Sequence, residues 1–411
     1  MTARGRPPRR GTRPAIGVAC VAFAFCVVML GSTLPTPLYP IYQQRLGYGQ
    51  LLTTVIFAVY AGGAIIALLL FGRASDLLGR RPVLLAGLAL SGLSAGGFLI
   101  VGGVPELLTA RLLSGLSVGL VTATATVTLV ELVQPRRRTA AALLAAVVNM
   151  FGLSCGPLLA GLLAEYEPRP LKMPFEVDLV LVAMATVAVL LVPETVRTRT
   201  HGWPRPQRPA IAARARPVFV PAAIAAFASF AVFGLLAAVE PGILANVLHL
   251  PGRALAGAVV FAMFGASAFA QIGLARVPAL VALPAGCAIL VAGLAAIAGA
   301  LVAGSLALLI GGTIVVGVGQ SLSFRAGVAA VTERSPDGER AETVASFFVV
   351  AYTGVALPVI LVGVAVAPLG LRDAALAFTA GTAILALAAL VTVLRLERPL
   401  GLRRHHRVLG R

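Results

Sequence analysis

Several ionisable residues stand in or beside long apolar runs that offer them little water. Arg111 and Arg325 lie inside such runs, Glu131 near the other end of the run that holds Arg111, Glu240 near the end of another, and Asp76 in a short charged break. A carboxyl group in a low-dielectric setting can load and release a proton, because burial raises the cost of its charged form. An arginine there keeps its charge and demands a carboxylate, an anion or a path to the interface. Arg111, Glu131, Glu240 and Arg325 are therefore candidates for coupling a proton to the movement of a solute. Each also has a plainer reading as an interfacial charge. Arg111 is about four residues into its run and can snorkel to the outer interface. Arg325, about two turns from the inner end of its run, can snorkel inward or face an anion.

The uncharged polar residues Ser32, Asn149, Gln271 and Gln320 also fall within apolar runs. They are candidates to line a substrate cavity, or to hydrogen-bond between helices. Thr122, Thr124, Thr126 and Thr128 are spaced around a helix, so most bond the preceding turn. Signals for enzyme chemistry are missing. His201, His249, His405 and His406 lack ligand spacing, and no nucleophile elbow or phosphate loop is present. Cys20, Cys26, Cys155 and Cys287 sit in apolar runs and read as small buried hydrophobes. No metal or cofactor is expected.

The elements that position these residues follow from hydrophobicity. The 411 residues are 59% hydrophobic and 12% charged, with a mean hydropathy of +0.97, which describes a polytopic membrane protein. A span needs about 20 apolar residues, and twelve runs qualify. They are Ala15–Tyr39, Leu51–Phe71, Val83–Val101, Leu107–Val133, Thr139–Ala164 and Val177–Val192, then Pro217–Glu240, Ala254–Ala275, Ala279–Ala303, Ser305–Val331, Glu342–Ala367 and Arg372–Leu394. The Pro35-Thr36-Pro37 stretch stops or kinks the first helix near the outer face, leaving Arg45 in a short outer loop.

The net charge of +18 would suit nucleic acid, but its distribution does not. With alternating spans, 26 of the 33 basic residues fall on one face and five on the other (Arg45, Arg169, Lys172, Arg253, Arg372). That is the positive-inside bias with both termini cytoplasmic, so the basic surface meets anionic lipid. The expected partners are the bilayer and a small molecule, not nucleic acid, and the chain is expected to act as a monomer. The single Lys amid abundant Ala and Gly suggests a GC-rich bacterial genome, hence an inner membrane. The Arg-rich start precedes a run too long for a signal peptide, so that run reads as an uncleaved first span.

The domains follow as a basic tail (1–14), a six-span half (15–193), a polar linker containing Trp203 (194–216), a second half (217–395) and a basic tail (396–411). The halves repeat one another. Pro37 and Pro241 are 204 residues apart, as are Phe57-Ala58 and Phe261-Ala262, and Pro157 and Pro358 are 201 apart. Six spans per half give a parallel duplication.

The break between spans 2 and 3 reads Gly72-Arg73-Ala74-Ser75-Asp76-Leu77-Leu78-Gly79-Arg80-Arg81-Pro82. Gly79 allows a tight turn, and hydrocarbon excludes the charges from the bilayer core. The spacing resembles the signature loop of the major facilitator superfamily, with Leu77 where a basic residue is usual and Ala74 where a larger apolar one is. Only Arg276-Val277-Pro278 stands at the matching place in the second half. Arg111-Leu-Leu-Ser114-Gly115 in span 4 is similar to the Arg-x3-Gly pattern of proton-coupled exporters, with Ser114 in place of Gln. Gly152, Gly156, Pro157 and Gly161 in span 5 resemble the antiporter motif, with Ala160 replacing one Gly. Small residues there permit close helix approach and Pro157 bends the helix, which together suit a hinge.

The resemblance implies an all-α major facilitator fold of twelve transmembrane helices in two pseudo-symmetric six-helix halves. It implies alternating access, with Gly72, Asp76, Gly79, Arg80 and Arg81 locking the inner gate. The expected activity is proton-coupled efflux of amphipathic drugs or metabolites from an apolar site lined by spans 1, 4, 7 and 10. A proton-coupled importer, a non-transport membrane protein on the same fold and a membrane-bound enzyme are the alternatives.

Overall fold

Eleven helices among the described residues are long and apolar enough to cross a membrane. The computed structural model describes residues 14–72, 74–196, 209–336 and 338–408, and no side chains beyond 395. Arg73, Trp203, His201, and most of the expected N-terminal tail and linker lie outside them. The first half comprises α1 (Pro14–Thr33), a 3-10 turn (Thr36–Leu38), α2 (Tyr39–Leu46), α3 (Gln50–Phe71), a short α4 (Ala74–Leu78), α5 (Arg80–Leu99), α6 (Val104–Glu131), α7 (Arg138–Tyr166) and α8 (Met173–Leu190). The second comprises α9 (Arg216–Ala238), α10 (Glu240–Asn246), α11 (Arg253–Gly273), α12 (Ala279–Ala303), α13 (Leu306–Arg334) and α14 (Arg340–Val408).

The apolar part of α14, Arg340–Arg395, has 56 residues. At about 1.5 Å per residue it is far too long for one crossing of a ~30 Å core. Its backbone breaks at Gly370 (φ 79°, ψ 165°), a left-handed region that glycine enters without a Cβ penalty. Residues 357–365 and 374–385 then line one shared groove, so the two arms lie side by side and the span count is twelve. The helix continues to Val408, into the stretch expected as a tail.

The proline-rich end of the first span is a kink rather than a stop. The chain turns through Thr36–Leu38 and resumes as α2, so Arg45 sits in a helical last turn and not in a loop. The matching Pro241 stands in the first turn of α10, just after the helix breaks at Val239. Both halves therefore break their first span at the repeated proline, which a ring without an N–H favours at a helix start. Pro157 lies inside α7, which remains continuous.

The halves meet through α7 against α11 and through α3 against α14. A Cβ on Gly257 of α11 would overlap the Pro157 carbonyl, and one on Gly161 of α7 would meet the Arg253 carbonyl at 2.5 Å. Arg253 donates through its guanidinium to the Ala164 carbonyl (2.8 Å) and through its backbone N–H to Glu165 (2.8 Å). Gln50 of α3 donates to the Ala238 carbonyl (3.2 Å). These contacts lie on the face opposite the basic loops, so the structure is closed on that far face.

Candidate functional site

A cavity lies between the halves, walled by α1, α3, α6 and α7 on one side and by α9, α11, α13 and α14 on the other. Spans 1, 4, 7 and 10 all contribute, as do spans 2, 5, 8 and 11. Most of its polar groups belong to the first half: Ser32, Thr33, Tyr60, Arg111, Thr122 and Asn149. The second half supplies a wall of Phe230, Phe233, Phe264, Phe324, Phe348 and Tyr352.

Arg111 does not snorkel to an interface. It is 1% exposed, because α6 begins at Val104 and carries the residue inward. One terminal nitrogen donates to the Ser32 carbonyl (2.7 Å). The guanidinium carbon stands 5.5 Å from the Phe57 ring centroid and 4.9 Å from that of Tyr60, within cation–π range. Its Nε has no hydrogen-bond partner. The described ion pairs involve Arg80 and Arg169, not Arg111.

Ser32 and Asn149 line this cavity, but Gln271 and Gln320 are absent from its walls. Gln271 donates to the Ala146 carbonyl of α7 (3.4 Å), and Gln320 accepts from the Ser267 hydroxyl (2.7 Å). Both serve helix–helix contacts in hydrocarbon. Thr126 and Thr128 donate to the carbonyls of Thr122 and Thr124 (2.7 Å each), as their spacing suggests, whereas the buried Thr122 hydroxyl has no partner.

The remaining charged candidates are held elsewhere. Arg325 donates to the carbonyls of Ala275 (2.6 Å) and Leu274 (2.8 Å). It satisfies backbone acceptors left free at the C-terminal end of α11, a structural duty that explains a cation in span 10. Glu131 accepts two hydrogen bonds from Arg80 (2.9 and 3.2 Å) and one from the Thr195 hydroxyl (2.7 Å). Arg80 also pairs with Asp76 at 2.6 Å and donates to Ser75 at 2.6 Å. The signature loop is thus tied to α6 by charge-assisted hydrogen bonds.

Gly72 ends α3 in a helical conformation, while Gly79 caps α5 with φ 103°. A Cβ on Gly79 would also press on the Glu194 carboxylate. That carboxylate accepts from the backbone N–H groups of Arg80 (2.9 Å) and Arg81 (3.2 Å). Glu194 therefore supplies the negative charge and acceptors that a helix N-terminus lacks. It follows span 6, and no local sequence pattern pointed to it.

Two carboxyls are deeply buried without charged partners. Glu240 is 0% exposed and neither oxygen has a hydrogen-bond donor. Asp178 of α8 is 2% exposed with one unpartnered oxygen, and it lies so close to α1 that a Cβ on Gly31 would sit 2.8 Å from it. Asp178 escaped the reading of the sequence because α8 begins at Met173, several residues ahead of the expected span. The stretch around Asp178 reads as the edge of a charged loop.

In span 5, Gly152 and Gly156 face α1, where added Cβ atoms would meet the carbonyls of Cys26 and Leu30. Pro157 and Gly161 face α11 instead. The motif thus joins a helix of its own half to one of the other.

The Major Facilitator Superfamily model matches residues 21–303, more than half of the chain. A crystal structure of the human organic anion transporter MFSD10 (TETRAN) is similar with a TM-score of 0.66 and 18% identity. The match covers 94% of this chain and 100% of that one, and it speaks for the fold. No curated protein sequence matches. With the family model running from the first span through the ninth, on two six-span halves that enclose a common cavity, the chain belongs to the major facilitator superfamily and is a multi-pass membrane transporter.

Proposed function

We propose that the protein is an alternating-access carrier that exports amphipathic small molecules from the cytoplasm in exchange for protons. The observation that carries this reading is the cavity between the halves, polar on one wall and aromatic on the other, with the halves in contact on the far face. Such a cavity suits a solute with one polar end better than a sugar, which needs many polar partners. The far face, where the halves are in contact, is then the outer one. The antiporter-like motif favours export. Its place between α1 and α11 suits a joint that moves one half against the other.

Coupling requires a carboxyl that is neutral in one state and charged in another. Glu240 and Asp178 fit this role better than Glu131, which is held by Arg80. An ionised carboxylate in either place would have no counter-ion, so it costs several kcal/mol until the helices part and admit water, of order 3 or more by analogy with broken buried pairs. Glu240 follows the break at Val239, next to the Gln50–Ala238 contact of the far face, which supports that role. The Asp76–Arg80–Glu131 cluster, formed here within the first half, would shape the loop at the inner gate.

The test is proton release from energised inverted vesicles across a panel of lipophilic cations, organic anions, sugars and amino acids. Substrate-triggered release of luminal protons supports antiport. Accumulation of substrate with proton entry in right-side-out vesicles would instead make the protein an importer.

A further inference from the structure

Resting on the carrier reading, the sign of the cavity points to its cargo. We infer that the site takes an aromatic organic anion, with a carboxylate on Arg111 and rings against the phenylalanine wall of the second half. Arg111 brings the only formal charge to the described cavity wall. One terminal nitrogen is committed to Ser32 and two aromatic rings flank the cation, while Nε is buried and unpartnered. A guanidinium offers Nε and a terminal nitrogen as a fork that matches the two oxygens of a carboxylate. A buried charge without an anionic partner is costly, and a bound anion offsets that cost. A bound cation would add repulsion between like charges in a low dielectric.

The opposite wall supplies the rest of the recognition. Phe230 stands 4.9 Å from Phe324 and 5.7 Å from Phe233 between ring centroids, and Phe324 stands 5.7 Å from Phe348. Flat apolar faces of this kind take an aromatic ring by stacking or edge contact. The charge is on the first half and the rings on the second. A ligand filling both halves of the site bridges them, and so favours the state in which they close around it.

The test is equilibrium binding to the full-length protein in nanodiscs, without any gradient, using labelled naphthalene-2-carboxylate, its methyl ester and tetraphenylphosphonium. The carboxylate is expected to bind about 10- to 100-fold more tightly than the ester, as charge-assisted hydrogen bonds require. Arg111→Gln is expected to erase that preference, and Arg111→Lys to restore only part of it. Phe324→Ala is expected to weaken the carboxylate while preserving its advantage over the ester. Equal binding of acid and ester, tighter binding of the phosphonium, or no carboxylate binding by a normally melting protein would each overturn the inference. Anion binding without proton release in vesicles would leave this site standing and remove the export reading. Proton release driven by cations, with no anion binding, would do the reverse.

Discussion

Gly257→Val tests whether the α7–α11 contact is the closed far-face joint. The new Cβ would overlap the Pro157 carbonyl and sit 3.2 Å from the Leu158 Cα. Both are backbone atoms of the other half, so no side chain can rotate away. Overpacking of this kind costs about 1–3 kcal/mol. The change in helix propensity at Gly257 applies in both states and cancels. The steric cost falls only on the state in which α7 and α11 touch. At about 1.4 kcal/mol per tenfold, the closed population should fall about 5- to 150-fold relative to the open one. Spin labels at Glu167 and Ala303, in a background without the four native cysteines, would report this by electron–electron distance measurement. Gly96→Ala is the control, since nothing lies within 4 Å of a Cβ there. Longer distances in Gly257→Val alone are the expected result. Identical distance distributions in the two variants would refute the assignment of this contact as the joint.

Asp76→Asn removes a 2.6 Å pair whose carboxylate is 59% exposed. It should change the melting temperature little, because exposed pairs contribute at most about 1 kcal/mol, yet reduce transport at equal expression; unchanged transport would remove the gate role. Glu131→Gln takes two hydrogen bonds from an arginine side chain that is only 9% exposed, so it should lower stability by about 1–3 kcal/mol, and a melt matching that of Asp76→Asn would contradict the bonding described. Arg111→Ala deletes a buried cation without a carboxylate partner. Its melting temperature should hold or rise while transport is lost, and a fall in membrane abundance alone would make Arg111 structural. Asp178→Asn and Glu240→Gln preserve shape and remove the titrating group; at least one should abolish proton release while substrate binding persists, and full coupling in both would exclude them as the proton sites.

The physics of the bilayer makes much of this protein legible from its sequence. Hydrocarbon forces each crossing to be a long apolar helix and expels charges to the loops. The twelve spans, the two halves and the basic face therefore follow from composition along the chain. The signature loop was legible as well, from the spacing of Gly72, Asp76, Gly79, Arg80 and Arg81 and from a glycine able to take the positive φ that Gly79 adopts. The pairing of the mid-span polar groups was not. A helix surrounded by lipid and other helices is apolar on every side, so periodicity does not say which face meets which neighbour. Only the packed bundle sends Arg325 to the end of α11 and Arg111 into the cavity, places Asp178 against α1, and brings Glu194 to the start of α5, 114 residues from its partner Arg80. The aromatic wall belongs to the same class: its rings come from helices far apart in the chain, and they face one arginine because the two halves close on each other.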